Sequence, residues 1–89
     1  MAIPASRYPA LKARKVLRLL GKIGYETERQ RGSHRKLVAP SRQPIGFAFH
    51  DGVEVPPRAL RHMLVERAGL TDEEIASLLW GGPKAGGGS

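Results

Sequence analysis

Between Tyr25 and Ala39 the chain reads YETERQRGSHRKLVA. Tyr25, Thr27, Arg29 and Arg31 alternate with Glu26, Glu28 and Gln30, the period of two expected of a β-strand. Arg31-Gly32-Ser33 reads as a tight hairpin turn in which Gly32 supplies a positive φ. His34 to Ala39 then returns as the partner strand. Arg29, Arg31, Arg35 and Lys36 crowd around the one histidine at this turn. So many cations are costly to bury, and the cluster is expected to face water or a polyanion.

On the N-terminal side, Ala13, Val16, Leu17, Leu20 and Ile23 fall at helical spacing, which predicts a first helix from about Pro9 to Ile23, with Gly24 as its stop. Lys15, Arg18 and Lys22 form a cationic ridge along the same helix. On the C-terminal side, Pro40-Ser41-Arg42-Gln43-Pro44 reads as a loop. Ile45 to Phe49 follows as a third strand, with Ile45, Phe47 and Phe49 on its core face. His50-Asp51-Gly52 turns the chain again. Pro56-Pro57 opens a second helix in which Leu60, Met63, Leu64 and Ala68 share a side, and Gly69-Leu70 suits its end. Thr71-Asp72-Glu73-Glu74 is a capping box for a short third helix carrying Ile75, Leu78 and Leu79.

These elements predict an α+β fold of order α-β-β-β-α plus a short C-terminal helix. A three-stranded antiparallel sheet has one apolar face that two amphipathic helices can cover, and its other face is left to water. A chain of 89 residues holds one small domain. Residues 9–80 are expected to form it, after a flexible N-terminus over 1–8 and before a disordered Gly-rich tail over 81–89. That tail offers nothing to bury, and its GGGS end resembles an engineered linker.

Composition narrows the function further. There is no cysteine, so neither a disulfide framework nor a thiolate metal site is expected. No apolar run approaches a membrane span, and MAIPASRYPALK lacks the apolar core of a signal peptide. A soluble cytoplasmic protein is expected. The net charge of +7 is unevenly spread: residues 1–50 hold eleven Lys/Arg against two Glu, and residues 51–89 hold four against six Asp/Glu. A basic first half of this kind suits nucleic acid.

The stretches VLRLLGKIGYE (Val16–Glu26), RQRGSH (Arg29–His34) and FHDGVEVPPRALRHMLVERAGLTDEEI (Phe49–Ile75), in this order and spacing, resemble the HicA toxins of HicA–HicB toxin–antitoxin systems. The resemblance spans roughly residues 10–79. It implies a double-stranded-RNA-binding-domain-like fold and endonucleolytic cleavage of messenger RNA without a metal or other cofactor. His34 matches the catalytic histidine of the family's Gly-Ser-His signature. A cognate HicB-like antitoxin is the implied protein partner, with the toxin monomeric when free. Two departures touch the third strand: Ala48 stands where the family commonly has a proline, and the loop Pro40–Pro44 is proline-rich in its own way.

The chemistry fits the histidine. Cleavage by internal attack needs a base for the ribose 2′-OH, an acid for the leaving 5′-oxygen and positive charge around the phosphate, and imidazole suits the first two near neutral pH. Arg29, Arg31, Arg35 and Lys36, with the N–H groups and hydroxyl of Gly32-Ser33, are the expected phosphate-binding set, and Lys15, Arg18 and Lys22 a flanking one. Such chemistry favours a flexible single strand. Gly32-Ser33 reads equally well as a turn and nothing more. His50 is a candidate second acid–base group, against the commoner alternative of a strand-end histidine bonded to its turn. His62 reads as an exposed helix residue, and the three histidines have no metal-site spacing. The competing reading is a non-catalytic RNA-binding module of the same fold, and a third is a domain that docks an acidic protein.

Overall fold

The computed structural model describes residues 3–81. After a 3-10 turn at Ala5–Arg7, the chain runs β1 (Leu11–Lys12), α1 (Ala13–Lys22), β2 (Glu26–Arg31), β3 (His34–Ala39), β4 (Arg42–Phe47) and β5 (Glu54–Val55). A second helix follows, α-helical over Pro57–Arg61 (α2) and π-helical over His62–Arg67, and then α3 (Asp72–Trp80). The main sheet is antiparallel in the order β2-β3-β4, and β1 and β5 form a separate two-stranded ribbon. This is the expected α+β architecture. The expected tail lies outside the described residues apart from Gly81.

One apolar core joins both helices to one face of the sheet. Val16 and Leu20 of α1 and Leu60, Met63 and Leu64 of the second helix meet Leu37, Ile45 and Phe47 of the sheet, with Ile75 of α3. Tyr8, 4% exposed, is part of this core, so packing extends into the segment expected to be a flexible N-terminus.

Helix α1 starts at Ala13 and not near Pro9. Leu11 and Lys12 pair instead with Val55 and Glu54, and Lys12 holds an extended conformation. Among the described residues no side chain caps this N-terminus. Its free N–H groups are met by the 50–53 loop, Ala13 donating to the Val53 carbonyl at 2.8 Å and Arg14 to that of Asp51 at 3.3 Å. The other end closes as expected of a Gly stop. Gly24, at φ 106°, lets its own N–H reach the Gly21 carbonyl (3.1 Å) and the Tyr25 N–H reach that of Leu20 (3.0 Å).

The third strand spans Arg42–Phe47, starting three residues and ending two residues earlier than expected, and Phe49 lies beyond it, half-buried and edge-on to Phe47. The loop is therefore only Pro40-Ser41, with Ser41 at φ 61° as the third residue of the turn. Pro44 is accommodated because β4 is an edge strand, and because Gln43 and Pro44 bulge opposite the single residue Val38. Arg42 then pins three elements: its Nε donates to the Ile23 carbonyl (3.3 Å) and Nη1 to that of Ala68 (2.7 Å), at the ends of α1 and of the second helix. The capping box forms as the sequence predicts, with Glu74 N–H donating to Thr71 Oγ1 at 3.1 Å and Thr71 N–H to Glu74 Oε1 at 2.8 Å.

Candidate nucleic-acid interface

The β2–β3 hairpin is closed by Arg31 facing His34, with Gly32 and Ser33 between them. Gly32 has φ 56° while Ser33 stays on the ordinary side, the signature of a type II′ turn that matches the twist of its strands. Gln30 Nε2 donates to the Gly32 carbonyl at 3.1 Å and braces the turn.

Register decides which side chains share a face. Leu37 pairs with Ile45 and Arg35 with Phe47 on the core side, so His34 and Lys36 take the open face, and Lys36 lies opposite Gly46. On β2 the ladder slips between Thr27, opposite Leu37, and Arg29, opposite Lys36. Glu28 is the extra residue. This bulge reverses the parity of everything after it. Tyr25 and Thr27 belong to the core side, whereas Arg29 and Arg31 emerge on the open face, where even alternation would have put all four together. Glu28 is carried to that face too, its Oε1 3.3 Å from Lys36 Nζ.

The open face therefore gathers Arg29, Arg31, His34 and Lys36 near the turn, all exposed, with Glu26 and Glu28 farther along β2. The other expected cations lie elsewhere. Arg35 is on the core side, its side chain 21% exposed and its Nη2 3.1 Å from Asp51 Oδ1. Lys15, Arg18 and Lys22 are exposed on α1, on the side turned away from Val16 and Leu20. At about 100° per residue they centre well over 90° from that buried stripe, on the outer surface of the helical layer.

No local sequence signal marks the Arg35–Asp51 pair, and it gives His50 a definite setting. His50 is exposed and lies just past the end of β4, not within a strand. The Val53 N–H closes the turn on its carbonyl at 3.0 Å. Asp51, the next residue, ties this turn to β3, one residue from His34. The same turn meets the N-terminus of α1. His34 and His50 are thus brought to neighbouring elements, and His62 is not: it lies exposed on the second helix, in a groove beside β4.

Residues 13–70 match the family model described as HicA toxin of bacterial toxin-antitoxin. The match takes in α1, the whole main sheet, β5 and the second helix, more than half of the chain, and leaves α3 outside. Neither the curated proteins nor the solved structures contain a match.

Proposed function

The chain belongs to the HicA toxin family, and from that membership we propose that it is a toxin acting as an endoribonuclease on messenger RNA in the cytoplasm, with His34 as its catalytic residue. The observation that carries this reading is the hairpin face. His34 stands in the turn-closing pair with Arg31, beside the Arg29–Lys36 pair, all four exposed on the sheet face opposite the core.

In this reading a single-stranded RNA lies across the turn. His34 removes the ribose 2′-OH proton, and the 2′-oxygen attacks the adjacent phosphorus. The bond to the 5′-oxygen breaks, leaving a 2′,3′-cyclic phosphate on one fragment and a 5′-hydroxyl on the other. Arg31 and Lys36 counter the charge that develops on the phosphate. His50 supplies the proton to the leaving oxygen, held near by the Asp51–Arg35 contact. No step requires a metal. A cognate HicB-like antitoxin would silence the toxin by covering this basic face.

End-group analysis tests the chemistry. Fragments from a long RNA cut in EDTA should carry 5′-hydroxyl and cyclic-phosphate ends. Fragments with 5′-phosphate ends would overturn internal attack and the role given to His34.

A further inference from the structure

The edge of the sheet holds a groove of about 850 Å³ between β4 and the second helix. Ile45, Phe49 and Met63 line its apolar part, and Arg58, His62 and Arg67 its polar part, with no carboxylate among the lining residues. Arg67 Nη1 donates to Gln43 Oε1 at 3.1 Å, while Arg58 makes no ion pair among the described residues. The π-helical winding contributes to this arrangement. In an α-helix residues five apart diverge by about 140°, whereas i→i+5 winding, seen here in the Ala68 N–H to Met63 carbonyl bond of 2.8 Å, returns His62 and Arg67 to one wall.

Two features decide what fits. β4 is an edge strand, but Pro44 removes a donor and the Gln43-Pro44 bulge distorts the edge, so a peptide is poorly placed to add as a further strand. Gly46 lines the groove and is also the register partner of Lys36, on the face that carries His34. A Cβ at Gly46 would meet nothing within 4 Å. Gly46 thus borders both the groove and the basic hairpin face, and it places no side chain between them.

We propose that this groove is a second subsite for single-stranded RNA, seating a nucleobase against Phe49 with the flanking phosphates on Arg58 and Arg67. It rests on the RNA-cleaving reading of the hairpin face. One strand would run from His34 past Lys36, across Gly46 and into the groove. Base–aromatic stacking and cation–phosphate contacts of this kind bind RNA with little sequence preference.

The test uses the full chain carrying His34→Ala, so that bound RNA stays intact. Fluorescence anisotropy measures its affinity for a short oligonucleotide that fills only the hairpin face and for a longer one that reaches both sites. Arg58→Glu is exposed and Gly46→Val has open space, so both variants should fold, as circular dichroism can verify. Each should weaken the longer RNA by about tenfold, leave the short one within about twofold, and, for Arg58→Glu, lower the salt slope by at least about 1. Arg29→Glu should weaken both RNAs. If Arg29→Glu acts and the two groove variants do not, the groove is no RNA subsite and the hairpin reading stands. If the parent binds neither RNA, the hairpin reading falls and the subsite with it. If Arg58→Glu spares RNA but abolishes capture of the antitoxin, the groove is a protein-docking surface.

Discussion

Glu28 and Lys36 meet across the β2–β3 ladder, Oε1 to Nζ at 3.3 Å, on the face that carries His34. The bulge at Glu28 is what brings the carboxylate there, and it partly neutralises a cation of the proposed RNA-binding face. Glu28→Gln should therefore tighten RNA binding several-fold at low salt and make its salt dependence steeper. Both side chains are more than half exposed, so stability should change by no more than about 0.5 kcal/mol. Anisotropy titrations at two ionic strengths, beside a urea curve, read both effects.

Arg35 separates position from charge. It neighbours His34 in sequence yet faces the core, where it holds Asp51. Arg35→Met should keep RNA affinity within about twofold and shift stability by about 1 kcal/mol or less, since the methionine retains the packing of the stem. Cleavage should nevertheless fall by about tenfold, because the turn bearing His50 loses its tie to β3. Asp51→Asn should give the same loss, and the double variant no more than either alone. Additive losses would mean the two residues act separately.

Arg42 donates to the Ile23 and Ala68 carbonyls, at the ends of both core-covering helices. Arg42→Met removes two charge-assisted bonds from a half-buried site and should cost about 2–4 kcal/mol. Arg42→Lys should recover only part of this, because an ammonium cannot reproduce the guanidinium fork. A lower urea midpoint with an unchanged m-value is the expected signature.

Tyr25 sets an alkaline limit. Burial raises its phenol above the ordinary value of 10.0, outweighing the lowering by Arg42 and Arg67. Its hydroxyl donates to the Gln43 carbonyl at 2.7 Å, a bond the phenolate cannot make. A folded pKa above the unfolded one gives stability that is complete below pH 10 and is lost as pH rises through the folded value. Thermal midpoints should fall above pH 10, and less steeply in Tyr25→Phe than in the wild type.

The parts of the fold that were legible in the sequence are those with local signals. Gly32 marked the hairpin, Gly24 the end of α1, and Thr71 with Glu74 the start of α3, because each is written in adjacent residues. The start of α1 was misplaced because Leu11 and Lys12 are claimed by Val55 and Glu54 far along the chain, and a two-residue pairing leaves no periodic trace. Pro44 reads as a loop residue until one knows that its strand lies at an edge. At the candidate site, sequence named the residues but not their faces. One bulge put Arg29 and Arg31 on the opposite side from Tyr25 and Thr27, and strand parity sent Arg35 inward. The ridge of Lys15, Arg18 and Lys22 formed as a ridge but on the outer surface of the helical layer.

Cleavage of a long single-stranded RNA by the wild type and by His34→Ala, side by side in EDTA, is the most direct measurement. The wild type should cut, and His34→Ala should lose at least about a hundredfold in rate while its RNA affinity stays within about twofold. Equal cutting by both, or binding by both with no cutting by either, would contradict a catalytic His34.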